Sequence, residues 1–176
     1  MFSFQLNEKG KRFVFTALVL VLLSAFLVSC DKEPKANLNG TWNYTSGNYS
    51  YDIKINTTAK TIEYGTNYKG NIVNSPNYED ASGVIIIEFT YYYETVYGGP
   101  PEYAVISSGE TTKYNGKYGA MYWKDLTLDS VYLADAYESS THAMRDSLAQ
   151  AQADFTLSKV GNYINWSYIS PYTKTQ

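Results

Sequence analysis

The alternation of residue types between Val84 and Tyr97 constrains the fold of this chain more than any other feature. One face of this stretch is apolar or aromatic throughout and carries Ile85, Ile87, Phe89, Tyr91 and Tyr93. The other face carries Glu88 and Glu94. Because successive side chains of a β-strand point to opposite faces, the pattern predicts a long strand whose apolar face looks into a core.

Similar but shorter patterns predict strands along most of the remaining chain. They cover Gly40–Trp42, Tyr49–Asn56, Thr61–Tyr64, Tyr68–Val73, Glu102–Ser107, Tyr118–Lys124, Leu126–Asp135 and Tyr163–Ile169. Turn-forming residues predict a loop over Asn74–Gly83, a break at Gly98–Pro101 and a turn at Ser108–Gly109. Asn115–Gly116 predicts a two-residue hairpin, because both central positions of that turn favour a positive φ.

The period of the sequence changes after Ser139, where one amphipathic helix is predicted. Its apolar stripe comprises Met144, Leu148, Ala151 and Phe155. Ser140 and Thr141 are the candidate N-caps. The helix precedes the last predicted strand, which Ser170 and Pro171 are expected to end.

A long series of strands must remove its sheet edges, and closure into a barrel does so. Gly40-Thr41-Trp42 resembles the Gly-x-Trp motif of lipocalins, and a helix before the last strand is similar to their order. The sequence departs from lipocalins in two respects: no Thr-Asp-Tyr motif follows mid-chain, and the late Arg that covers their Trp is absent, since the later basic residues are Arg145, Lys159 and Lys174. The resemblance implies a mainly β fold over residues 39–176: an antiparallel, eight- to nine-stranded lipocalin-like barrel with one late amphipathic helix.

The N-terminal segment has the pattern of an export signal. Lys9, Lys11 and Arg12 precede an apolar run from Phe13 to Val28. As a helix this run would extend about 24 Å at ~1.5 Å per residue, which is shorter than the ~30 Å hydrocarbon core of a bilayer. The pattern therefore favours a removed signal peptide over a membrane span.

Leu27-Val28-Ser29-Cys30 ends this run and resembles the lipobox of bacterial lipoproteins position by position. The resemblance implies a diacylglycerol on the Cys30 sulfur, cleavage before Cys30, and acylation of the new amine. It also implies a signal peptide over residues 1–29, a lipidated Cys and polar tether over 30–38, and a location in the bacterial cell envelope, outside the cytoplasm and anchored to a membrane. Three segments are similar to small lipoproteins of unassigned function: Tyr118–Trp123, Val131–Ala136 and Asn165–Tyr172.

The charge argues against nucleic-acid binding, and the cysteine content excludes an internal disulfide. Removal of residues 1–29 takes away three basic residues and one acidic residue, so the net charge falls from −3 to −5. An acidic, unclustered surface argues against binding of nucleic acid. Cys30 is the only cysteine in the sequence, so an internal disulfide is impossible and packing must hold the domain together.

No group of residues in the sequence specifies a reaction, and we expect no enzymatic activity, catalytic residue, cofactor or metal site. His142 is the only histidine, and Asp146 follows it at helical spacing. Neighbours on one helix do not form a Ser-His-Asp device, so we expect a solvated helix face there. Glu88 and Glu94 would lie roughly 20 Å apart along one strand, too far for a carboxylate pair.

All 19 tyrosines follow residue 29, and they leave two functional hypotheses open. The first is a non-enzymatic binding module that takes a small apolar or aromatic ligand into the barrel, with Ile53, Phe89, Tyr91 and Tyr93 as candidate ligand-binding residues. The second is a surface interaction protein that binds a protein or glycan through outward tyrosines and the loops at 74–83 and 97–101. Tyrosine suits either role, since it offers rigid contact area with a polar tip.

Overall fold

We analysed a computed structural model, which describes residues 34–97, 105–138 and 141–175. The apolar run Phe13–Val28, the lipobox with Cys30, the break at Gly98–Pro101, and Ser139 and Ser140 lie outside the described residues. Lys35 begins the compact unit that contains the strands.

The elements follow one another as a long β meander with a short helical segment near its end. The strands are β1 (Gly40–Ser46), β2 (Tyr49–Asn56), β3 (Thr61–Tyr64), β4 (Tyr68–Ile72), β5 (Gly83–Tyr97), β6 (Val105–Glu110), β7 (Tyr118–Lys124), β8 (Ser130–Asp135), β9 (Tyr137–Glu138), β10 (Thr141–His142) and β11 (Tyr172–Thr175). The helix α1 spans Leu148–Asp154, and 3₁₀ turns cover Leu157–Asn162 and Trp166–Tyr168.

In the described part of the chain, eight strands close into an antiparallel barrel. Their order around the barrel is β1, β2, β3, β4, β5, β7, β8 and β11, and β11 pairs with β1 to complete the circle. β6 pairs with the distal part of β5 as one additional strand, and β9 with β10 forms a separate hairpin. The predicted fold class is thus confirmed, and the architecture is consistent with a lipocalin-like barrel.

One end of the barrel interior is filled by large apolar side chains around Trp42. Leu38, placed in the tether by the sequence analysis, is fully buried there and accepts a 2.8 Å hydrogen bond from Trp42 Nε1. Lys174 lies opposite Trp42 in the β1–β11 register, with its Nζ 5.1 Å from the indole ring. A lysine therefore lies over this Trp, where an Arg lies in lipocalins.

A second apolar cluster lies outside the barrel, on the outer face of β5, β7 and β8. Ile86 and Tyr122 from this face pack with Ala151 and Phe155 of the helical segment. Arg145 links parts of this outer cluster, since its guanidinium donates hydrogen bonds to Glu138 and Asp154 at 2.7 and 2.6 Å. Both faces of β5 are thus covered at Ile85–Ile87, one by the barrel interior and one by this layer.

The predicted facing of β5 is correct up to Phe89 and wrong beyond it. A β-bulge shifts the β4–β5 register, so that Gly70 opposes Phe89 while Lys69 opposes Tyr91. Tyr92 consequently packs against the interior cluster, and Tyr93 is 36% exposed. Gly70 permits the close approach of the strands, because a Cβ there would lie 2.6 Å from the Glu88 carbonyl oxygen.

Two turn predictions are also wrong. Gly109 lies inside β6, which ends at Glu110 and thus later than expected. Gly116 has a φ of +75°, but Asn115 is not in the left-handed region, and the flanking strands do not pair with each other. The turn instead hydrogen-bonds to β5, where Gly116 N donates to Phe89 O.

The C-terminal predictions need correction at both ends of the helical segment. The N-cap is Ser147, whose side chain accepts from Gln150 N, because the residues before it are extended and Arg145 forms a bridge with Tyr118. The expected strand over 163–169 is a turn segment, since Asn165 accepts a hydrogen bond from Ser167 N. Pro171 precedes the last strand instead of ending it, as is usual for proline at a strand start.

Candidate functional site

The other end of the barrel is hollow. A cavity of about 410 Å³ opens beside the β1–β2 and β3–β4 turns. Its lining residues are Tyr44, Ile53, Tyr64, Met121, Leu133, Ala134, Asp135, Tyr137, Tyr163, Ile164, Asn165, Tyr168, Ile169, Ser170 and Tyr172. Six of these described residues are tyrosines, so the wall is aromatic with polar tips.

A series of ring contacts runs from β1 to β4 in and beside the cavity wall, with Tyr44, Tyr64 and Tyr172 as the members that line the cavity. Tyr44 lies 5.6 Å from Tyr172 and 6.3 Å from Tyr51, and Tyr51 lies 6.4 Å from Tyr64 (ring centroids). Tyr64 in turn meets Tyr68 edge-on at 5.6 Å. Such contacts favour particular ring orientations, so neighbouring tyrosines support one another's positions in the wall.

Asp135 places a carboxyl group at the bottom of this wall. Its Oδ1 accepts a 2.6 Å hydrogen bond from Tyr68 Oη, and its Oδ2 lies 3.1 Å from His142 Nε2. His142 Nδ1 lies 2.5 Å from Tyr92 Oη. Tyr92, His142, Asp135 and Tyr68 thus form one hydrogen-bonded chain, and Asp135 is the member that also lines the cavity.

Four tyrosine hydroxyls in and beside the cavity are partly or fully buried, and burial disfavours their ionisation. It raises the pKa values of Tyr64, Tyr68, Tyr137 and Tyr172 above the usual value for tyrosine. The negative charge of Asp135 acts in the same direction on all four pKa values, because a second negative charge nearby is unfavourable. The cavity therefore contains neutral phenols around one carboxylate.

Asp135 could be recognised from the alternation of β8, although the sequence analysis did not single it out. Val131, Leu133 and Asp135 fall on one face of this strand, and the first two are buried in the interior. An acidic residue that continues an apolar inward face is unusual, and Asp135 is only 8% exposed. The cavity tyrosines gave no such signal, because tyrosines occur throughout the chain.

The four residues predicted to bind a ligand occupy different places. Ile53 lines the cavity. Phe89 is buried against Tyr68 at 5.1 Å and belongs to the interior core. Tyr91 is half-buried and Tyr93 is exposed, so the predicted inward orientation of these two side chains is wrong. Because of the bulge, Tyr92 points inward in their place.

The expectation of a solvated helix face at His142 is also wrong. His142 lies in β10, before the helix, and is half-buried against Tyr137, with ring centroids 4.4 Å apart. Neither His142 nor Tyr92 is among the described residues that line the cavity. The imidazole therefore orders Asp135 from behind the cavity wall.

Within residues 34–97, 105–138 and 141–175, no group of three or more His, Cys, Asp and Glu side chains could hold a metal ion. The same ranges contain no helix with the length and hydropathy needed to cross a membrane. Comparison with known proteins gives no relative for this chain: no protein-family model, no curated protein and no solved structure matches it.

Proposed function

We propose that this protein is a non-enzymatic binding module that takes one small apolar or aromatic ligand into the open end of its barrel. In this proposal the module is held in the bacterial cell envelope by lipid at Cys30. The observation that supports ligand binding is the cavity of about 410 Å³. Its volume and largely apolar wall are in the range of small-molecule sites.

The wall suits a ligand with an aromatic body. Tyr44, Tyr64 and Tyr172 offer ring faces and edges, while Ile53 and Leu133 supply apolar contacts below them. Offset and edge-on aromatic contacts add to the free energy gained from burying apolar area. The ordered rings also reduce the entropy that a flexible site would lose on binding.

Calorimetric titration with 2-(1-naphthyl)ethanol tests the proposal. The full-length protein would be held in phospholipid nanodiscs, with empty nanodiscs as the blank. We expect saturable binding of one molecule per chain. Ile53→Trp should weaken it at least tenfold, because the larger side chain projects into the cavity.

Tyr49→Trp is the matched control for that variant. It introduces the same side chain into the same strand at a position that is 69% exposed and does not line the cavity. Binding by this control should equal that of the wild type. Absence of saturable binding in the wild type, or equal binding by both variants, would contradict the proposal.

The exposed tyrosines favour a second candidate function, a surface that binds a protein or glycan. Tyr49 and Tyr93 are exposed on the described surface and do not line the cavity. A surface partner would be lost when Tyr49 and Tyr93 are changed to serine and retained in Ile53→Trp. The opposite pattern supports the cavity, so pull-down and titration on the same variants separate the two functions.

The anchor part of the proposal is supported by the lipobox sequence. Mass spectrometry of the protein purified from its native membrane tests it. We expect an N-terminal peptide that begins at Cys30 and carries acyl chains, and we expect Cys30→Ser to retain residues 1–29. An unmodified Cys30 in the wild-type protein would refute the anchor.

A further inference from the structure

We infer that the cavity selects organic ammonium ions, whose charged nitrogen is held by Asp135 and the surrounding tyrosine rings. This inference rests on the proposed function and names the ligand class for the same site.

The first argument is the charge balance of the cavity. Asp135 is 8% exposed and is the one acidic residue among the described residues that line the cavity, and none of them is Lys or Arg. Two cations outside the cavity are engaged elsewhere: Arg145 bonds to Glu138 and Asp154 in the outer layer, and Lys174 lies over Trp42 at the closed end. Among the described residues, the basic side chain in contact with Asp135 is His142, whose Nε2 lies 3.1 Å from Asp135 Oδ2. A buried carboxylate that pairs with no Lys or Arg among the described residues favours a ligand that brings the positive charge.

The hydrogen bonds of the chain behind Asp135 are compatible with an uncharged imidazole. A neutral imidazole satisfies both of its contacts, because Tyr92 Oη can donate to His142 Nδ1 while His142 Nε2 donates to Asp135 Oδ2. Tyr68 Oη donates to the other carboxylate oxygen. Two donors occupy about half of the lone-pair positions of a carboxylate, so acceptor capacity remains for an ammonium N–H.

The tyrosine rings supply the second part of the recognition. Tyr44, Tyr64, Tyr137 and Tyr172 border the same space as Asp135. Electron-rich ring faces attract ammonium groups, more strongly where water is excluded, and aromatic cages bind alkylammonium ions in this way. A neutral ligand would gain the apolar contacts but not this attraction.

Three probes with the same ring system and different charges test the inference. They are 2-(1-naphthyl)ethylamine, 2-(1-naphthyl)ethanol and 1-naphthylacetate, each titrated into the full-length protein in nanodiscs of zwitterionic lipid. We expect the amine to bind at least tenfold more tightly than the alcohol, and the carboxylate to bind most weakly. Equal binding of amine and alcohol would refute the inference while leaving the proposed function in place.

Asp135→Asn removes the charge with little change of shape and should bring the amine and the alcohol within threefold of each other. Asp125→Asn is the matched control: it changes the net charge equally at an exposed position and should keep the tenfold preference. A preference retained in Asp135→Asn would overturn the assignment. If that variant does not fold, the order of the three probes on the wild type still decides. Failure of all three to bind the wild type would instead refute the proposed function.

Discussion

The two ends of the barrel interior are built by the same strands but from different side chains. At the closed end, Trp42, Trp123 and Leu38 are buried in the interior, and both indole nitrogens donate to backbone carbonyls, Leu38 O and Asp80 O. At the open end, tyrosines and Asp135 surround a cavity of about 410 Å³. Large apolar side chains close one end of the barrel, and polar aromatic side chains keep the other open.

This difference follows from the cost of burying polar groups. A buried hydroxyl without a partner costs free energy, so a tyrosine-lined interior needs partners such as the Tyr64–Tyr172 contact at 3.3 Å or the Tyr68–Asp135 bond. An open cavity lets water or ligand satisfy the remaining positions. We therefore expect the closed end to determine stability and the open end to determine binding.

Trp42→Ala should have the largest effect on stability. Removing this fully buried side chain leaves a cavity in the closed end and breaks the bond to Leu38 O. We expect a loss of about 3–5 kcal/mol in the free energy of unfolding, in line with other Trp→Ala changes in cores. Urea unfolding followed by circular dichroism measures it.

The same variant tests the division between the two ends. If it folds, its affinity for the naphthyl probes should stay within threefold of the wild-type value, because Trp42 does not line the cavity. A large loss of affinity with a small loss of stability would break the comparison.

Tyr68→Phe should have an intermediate effect, because Tyr68 joins the two regions. The change removes the donor to Asp135 Oδ1 and leaves the ring in place. A hydrogen bond to a charged group contributes about 1.5–3 kcal/mol, and we expect a loss of that size in urea unfolding. Tyr122→Phe is the control: its hydroxyl makes a 3.4 Å contact with Thr156 O, and its loss should cost less than about 1 kcal/mol.

The inward face of β5 up to Phe89 was predictable from the sequence, and the open end of the barrel was not. The period-two alternation correctly predicted that Ile85 and Ile87 point inward, because an apolar residue at every second position of a strand indicates a buried face. The bulge at Gly70 reverses the facing of Tyr91–Tyr93 through the pairing with another strand, which no local pattern contains. Sequence analysis alone could not have located that shift.

The wall formed by residues 163–170 was missed for a related reason. Its alternation is that of a strand, yet Ile164 packs into the outer cluster and Asn165 closes a turn with its own side chain. A local hydrogen bond of this kind competes with strand pairing. The Asn165–Ser167 spacing and Pro171 were the available signals, and both favour a turn before a short strand.

Tyr168→Ser should have the smallest effect on stability and therefore sharpens the comparison most. Tyr168 is 84% exposed yet borders the cavity, so its loss should change the free energy of unfolding by less than about 0.5 kcal/mol, as for other surface sites. It should nevertheless weaken the binding of 2-(1-naphthyl)ethanol several-fold, because the Tyr168 ring borders the cavity and its contact with the ligand would be lost. Tyr49→Ser is the same substitution at a position that is 69% exposed and does not line the cavity. It should change neither the free energy of unfolding nor the affinity for the probe. Equal affinities of the two serine variants would show that the segment carrying Tyr168 is only a cover, and that Asp135 and the inner tyrosines alone determine binding.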